Sequence, residues 1–329
     1  MKKILVISLI LFLAGALVFA GGGRAREGQV INITMANPSS PEDNMVRAFF
    51  HFRDIVQERS NGRIAVNVMH SGQLGSHRDY MEQMQMGALE MAEVNVAVLS
   101  AFDPTFMVFD LPYISRSVQH LQGLLDGGLG QRFSNSLEAR TGVKILGWMI
   151  RSPRNMYTST RPIHTAADFA GMRVRIMESP VHRRTFELLG AVPVPLAATE
   201  RYMALQTGVV DAAENSIPLI LSEREFEVTR YISRTEHFIS PNVIAISSRF
   251  FNGLPPDLQA ILVQAGDEAA RFATRLDAES EAGAIRDLVN LGMVFNEVPD
   301  KSSFISRVRP IYDEFRAQIG GELIDAFTR

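Results

Sequence analysis

From Gly171 to Pro180 the chain reads G-M-R-V-R-I-M-E-S-P, from Leu189 to Pro195 L-G-A-V-P-V-P, and from Tyr202 to Asn215 Y-M-A-L-Q-T-G-V-V-D-A-A-E-N. Met172, Val174 and Ile176 alternate with Arg173 and Arg175, the period of a strand with one apolar face. Ser179-Pro180 reads as an N-cap followed by Pro at the first helical position, and Gly190 stops that helix. Thr199 is expected to cap a second helix that Gly208 ends, and Val209 to Ala213 begins another strand. Strand, helix, strand, helix, strand predicts an open α/β sheet with Arg175 and Asn215 at the carboxyl ends of neighbouring strands. Such sheets bind ligands in the crevice beyond those ends. A guanidinium there is a fixed fork of donors suited to a carboxylate, although an ion pair on the surface is the plainer reading of a single Arg.

The pattern extends outward on both sides. Ile31 to Met35 and Ile64 to Val68 read as strands around an amphipathic helix from Met45 to Arg59. Ser76 caps a helix ending at Gly87. The run Tyr80 to Asn95 then echoes Tyr202 to Asn215: helix, Gly, apolar pair, acid, short strand, Asn. The echo suggests two lobes of similar build, each offering an Asn to a shared cleft. Met107 to Asp110 reads as a buried strand, Val118 to Leu125 and Gln131 to Ala139 as helices, and Val143 to Met149 as a strand carrying Trp148, the only Trp. Ile217 to Phe226 reads as a helix, and Ile232 to His237 and Asn242 to Ser247 as strands. A helical pattern from Leu254 to about Leu291 would exceed ~50 Å, longer than one such lobe. Asp300 to Arg329 is expected to add one or two helices to the second lobe.

Composition narrows the chemistry. The 329 residues carry 33 basic and 36 acidic side chains, 46% are hydrophobic, and none is Cys. This length supplies two ordinary cores. Lys2 and Lys3, the apolar run Ile4 to Ala20 and the small residues before Gly21-Gly22-Gly23 describe a cleaved secretory signal. Its removal leaves 31 basic against 36 acidic residues, a net charge of −5. No basic block recommends nucleic acid as a partner. The absence of Cys excludes disulfides, thiol catalysis and thiolate metal sites, and the seven His residues lack ligand spacing. There is no G-x-S-x-G and no phosphate-binding glycine loop, so neither cofactor, metal nor catalytic residue is assigned.

The stretches G-W-x5-R-N-M-Y-T-S-T-R-P-I, D-F-A-G-M-R-V-R-I, L-G-A-V-P-V-P and Y-M-A-L-Q-T-G-V-V-D-A-A-E-N resemble the solute receptors of tripartite ATP-independent periplasmic (TRAP) transporters, the DctP family. S-G-Q-L-G-S-H-R-D and F-D-L-P-Y extend the resemblance toward the amino terminus, and Ala212 stands where that family usually has Gly. The resemblance implies an α/β, two-lobed periplasmic-binding-protein fold of type II-like architecture, with the ligand cleft between lobes and the long helix bridging both. The expected division is residues 1–20 signal, 28–151 plus 241–280 lobe I, and 152–240 plus 281–329 lobe II. By resemblance, Arg175 falls on the carboxylate-binding Arg, Arg154 on a second Arg holding the same acid, and Asn215 on the Asn closing the last motif. Asn95, His77 and Glu178 occupy positions where such receptors vary their contacts.

The implied protein is a periplasmic monomer that captures a small organic anion and passes it to TRAP membrane subunits. A carboxylate such as Glu178 repels a second ligand charge but accepts hydrogen bonds from hydroxyls. That favours a sugar acid, foremost a hexuronate such as glucuronate or galacturonate, over a dicarboxylate. R-I-M-E-S-P also resembles R-V-Q-E-S-P of uronate receptors. The competing reading is a secreted lyase or hydrolase on acidic sugars, with Glu178 or His77 as acid-base groups.

Overall fold

Residues 30–328 are described by the computed structural model; the expected signal lies outside them. Strand β1 (Ile31–Ala36) buries Ile33 and Met35, and helix α1 (Asn44–Arg59) covers them with Phe49, Phe52 and Val56. Asp43 caps α1 by accepting the Met45 amide at 2.9 Å. Next come β2 (Ile64–Met69) and α2 (His77–Met86), which opens with a reciprocal cap between Ser76 and Asp79. After β3 (Met91–Asn95), the short α3 (Val96–Leu99) uses Asn95 itself as its cap.

Pro104–Asp110 is a 3-10 helix, not the strand its apolar run suggested: Asp103 accepts the Thr105 amide, and Pro104 favours the first helical turn. The two helices expected after it form one run, Val118–Leu124 through Leu125–Leu129 to Gly130–Thr141, kinked at Gly128. The chain then passes from β4 (Val143–Ile150) to β5 (Arg154–Thr158) and β6 (Arg173–Ile176). Helix α4 (Pro180–Leu189) is capped by Ser179 and stopped by Gly190 at φ 91°, a left-handed conformation that glycine adopts without strain. β7 (Val192–Pro195) follows. Thr199 caps nothing; it lies in a 3-10 turn where Glu200 accepts the Ala197 amide at 2.9 Å, ahead of α5 (Arg201–Gln206).

β8 (Ala212–Asn215), α6 (Ile217–Ser222), β9 (Tyr231–Phe238) and β10 (Pro241–Ser247) lead into α7 (Pro256–Asn290), β11 (Val294–Glu297) and the closing helices α8 (Ser302–Val308), α9 (Ile311–Ile319) and α10 (Gly321–Thr328). The strands form two sheets, ordered β2-β1-β3-β10-β4 and β11-β9-β5-β8-β6-β7. The chain crosses between them after β4, after β9 and along α7. Leu258, Leu262, Ala265 and Ala269 of α7 join the first core and Ala284 and Leu288 the second, so the helix bridges both lobes as expected. It lies so close to β4 that a Cβ on Gly147 would meet the Gly266 carbonyl oxygen at 2.4 Å.

The carboxyl terminus departs from its expected place. Phe304 and Val308 of α8 pack in the second lobe. Ile311, Ile319, Leu323, Ile324 and Phe327 instead join a separate cluster around Phe106 and Phe109 on the other side of the first sheet, that of Val94 and Val243, where Phe109 presents a ring to Phe327 at 5.4 Å. Trp148 stacks on Phe106 in the same cluster and serves packing. Among the described residues no helix is long and apolar enough to cross a membrane.

Candidate functional site

β6 and β8 are parallel neighbours, paired at Val174 and Ala212, which brings Arg175 and Asn215 to the same end of the second sheet. Arg175 is 1% exposed. Its Nε and Nη2 donate to the Leu196 carbonyl at 3.0 and 2.5 Å. Among the described residues it forms no ion pair with a carboxylate. Burial, followed by the field of Arg201, pushes its pKa down to about 10. A dry cation without a counter-ion is costly, and an anionic ligand relieves it.

Arg154 is different. Its Nε and Nη2 grip the Glu214 carboxylate (Nη2 at 2.8 Å), Nη2 also reaches the Glu214 carbonyl at 2.8 Å, and Nη1 donates to Asn215 Oδ1 at 3.0 Å. Burial alone would raise Glu214, but the Arg154 charge and hydrogen bonds bring it down to about 2. Asn215 Oδ1 also accepts the Ser216 amide at 3.0 Å, which leaves its NH2 as the group to offer a ligand.

Both arginines line a narrow cavity between the lobes, of about 40 Å³, together with His77, Glu93, Asn95, Arg151, Arg201 and Asn215. The His77 ring sits 3.2 Å through Nδ1 from the Glu93 carbonyl. A carbonyl only accepts, so Nδ1 carries the proton and Nε2 is an acceptor. Burial lowers the His77 pKa to about 4, so the ring is neutral near pH 7. Asn95 is largely occupied: its Oδ1 accepts the Ala97 amide at 2.9 Å and its amide donates to Asn242 at 2.5 Å. Its turn chemistry thus accounts for most of its hydrogen bonds.

Glu178 does not line this cavity. It borders an adjoining space of about 10 Å³, is 33% exposed, and faces Arg78 at 3.6 Å. The buried carboxylate at the cavity is Glu93, which the sequence reading missed. It is 1% exposed, its Oε2 lacks a hydrogen-bond partner among the described residues, and burial raises its pKa to about 7 against the field of Arg151 at 3.7 Å. Arg151, also missed, is held bidentately by Asp43 at 2.9 Å. Across the lobes, the Ser40 amide donates to Glu223 at 2.8 Å, so the cleft is closed. A larger groove of about 830 Å³ adjoins at Glu223, but its charged lining of Glu42, Arg47, Arg224 and Asp287 is exposed to water. Among the described residues no group of three or more His, Cys, Asp or Glu could hold a metal ion.

Residues 35–318 match the family model for bacterial extracellular solute-binding proteins, family 7 (DctP). The chain belongs to this family. A solute-binding protein of Chromohalobacter salexigens is 32% identical over 278 residues, 84% of this chain and 82% of that one. A TRAP periplasmic solute-binding protein of a Sulfitobacter species, crystallised with bound β-D-galacturonate, superposes with a TM-score of 0.87 at 31% identity, covering 90% of this chain and 99% of that one. Its counterpart from Roseobacter denitrificans, with bound β-D-glucuronate, gives 0.86 at 31% identity and the same coverage. The two-lobed expectation therefore stands, and this DctP-family chain is a solute-binding protein. The lyase or hydrolase alternative gains no support from these relatives. Its candidate acid-base groups, His77 and Glu178, share only the adjoining space of about 10 Å³, and no hydrogen bond joins them among the described residues.

Proposed function

We propose that this protein is exported by its amino-terminal signal, captures a hexuronate or closely related sugar acid in the interlobe cavity, and delivers it to the membrane subunits of a TRAP transporter. The observation that carries the reading is Arg175: a fully buried cation, without a carboxylate partner among the described residues, at a cavity that Arg151, Arg154 and Arg201 also line beside polar groups such as His77, Glu93 and Asn215. One ligand carboxylate balances Arg175. Hydroxyls then suit the His77 Nε2 and Glu93, neither of which offers a cation to balance a second ligand charge. Glu93 thus fills the role that the sequence argument gave to Glu178. The uronates bound by the Sulfitobacter and Roseobacter proteins belong to the same class.

A thermal-shift panel of glucuronate, galacturonate, gluconate, succinate, malate and lactate tests the ligand class. Stabilisation by sugar acids is expected; stabilisation by succinate or malate alone would overturn it. Mass spectrometry of protein from its native host, after denaturation, reports any retained ligand and the start of the mature chain. A chain retaining residues 1–20 would refute export by cleavage.

A further inference from the structure

We infer that Arg201 is a further arm of the carboxylate clamp, facing Arg175 across the cavity. The inference rests on the reading that a carboxylate ligand enters this cavity. Arg201 begins α5, is 5% exposed, and lines the same cavity. The only hydrogen bond its guanidinium makes among the described residues is from Nε to Glu225. Both terminal nitrogens are therefore open to a ligand. Arg154, by contrast, has four hydrogen bonds to Glu214 and Asn215 through all three of its nitrogens. Each arginine has one carboxylate partner, but a guanidinium bound like that of Arg154 has one N–H left, whereas Arg201 keeps four.

The electrostatics agree. After burial, Arg201 exerts the largest effect of any charge on Arg175, ahead of Arg154, so the two guanidinium groups repel each other. One carboxylate between them removes that repulsion and gives each fork an oxygen. Glu225 holds Arg201 in place through Nε and leaves the ends of the fork turned to other partners.

The test compares wild type with Arg201→Lys and Arg201→Gln by calorimetry, using D-glucuronate and D-galacturonate. Lys keeps a cation for Glu225 but loses the planar fork. A purely structural role therefore predicts wild-type affinity and an unchanged unliganded Tm for Arg201→Lys, whereas the clamp predicts affinity lower by about 10- to 100-fold. Arg201→Gln should lose more. Crystals soaked in formate, a minimal carboxylate, give a second readout that depends on neither folding of the variants nor sugar identity. Formate bridging Arg175 and Arg201 supports the clamp; formate held at Arg175 without touching Arg201, or wild-type affinity in Arg201→Lys, overturns it. If no hexuronate binds the wild type while formate bridges Arg175 and Arg201, the hexuronate reading fails and the clamp stands.

Discussion

Replacing Arg175 should weaken ligand binding severely without harming the unliganded protein. The displacement of its pKa from an ordinary 12.5 to about 10 corresponds to about 3 kcal/mol of disfavoured charge at this buried position. Arg175→Met removes that cost and sacrifices the hydrogen bonds to Leu196, worth about 1 kcal/mol. The unliganded melting temperature should therefore hold or rise. With ligand the sign reverses, because a carboxylate left in a closed cavity without its cation costs about 3–5 kcal/mol. That is a loss of some 100-fold or more in affinity. Arg175→Lys should also bind poorly, since an ammonium cannot reproduce the fork that reaches both Leu196 and a carboxylate. Calorimetry with D-glucuronate and D-galacturonate, paired with thermal denaturation of ligand-free protein, measures both halves. Near wild-type affinity in both variants would refute the reasoning. So would a large drop in the unliganded melting temperature of Arg175→Met, which would mean that Arg175 has a structural counter-ion.

Two further outcomes follow from the buried groups and the close packing. Burial raises the Glu93 pKa from an ordinary 4.5 to about 7, so the folded state holds a proton that the unfolded chain releases. Its contribution is present below about pH 4.5 and is lost as pH rises through 7. Relative to wild type, Glu93→Gln should therefore gain stability between pH 5 and 8, by at most about 3 kcal/mol; denaturation midpoints that stay parallel across that range would remove Glu93 from the titration. Gly147→Ala would push a Cβ to 2.4 Å from the Gly266 carbonyl and should destabilise the β4–α7 packing by about 1–3 kcal/mol, read as a lower urea midpoint; an unchanged midpoint would show that the two elements separate easily.

What the sequence revealed depends on how local each signal is. The β6–α4–β7 unit was legible because Ser179, Pro180 and Gly190 mark its helix and alternation marks its strands. The same alternation held a clue that the sequence reading passed over. Arg175 and Met177 share a parity and both line the cavity, whereas Glu178 has the opposite parity and falls outside it. Pro104 to Asp110 misled because a short apolar run has no period to separate strand from helix, and Asp103 and Pro104 decided it. Glu93 and Arg201 were illegible for another reason. Nothing in M-A-E-V-N or T-E-R-Y distinguishes a residue at a closed cleft from one in water, because two lobes must meet to bury it. Charge pairing sets the firmest limit. Arg154, Arg173, Arg175 and Arg201 look alike in sequence, but Arg154 finds Glu214 60 residues away, Arg173 finds Asp211 38 away and Arg201 finds Glu225 24 away. The cation left without a carboxylate partner, Arg175, is identified by subtraction, and the subtraction requires the partners supplied by the fold.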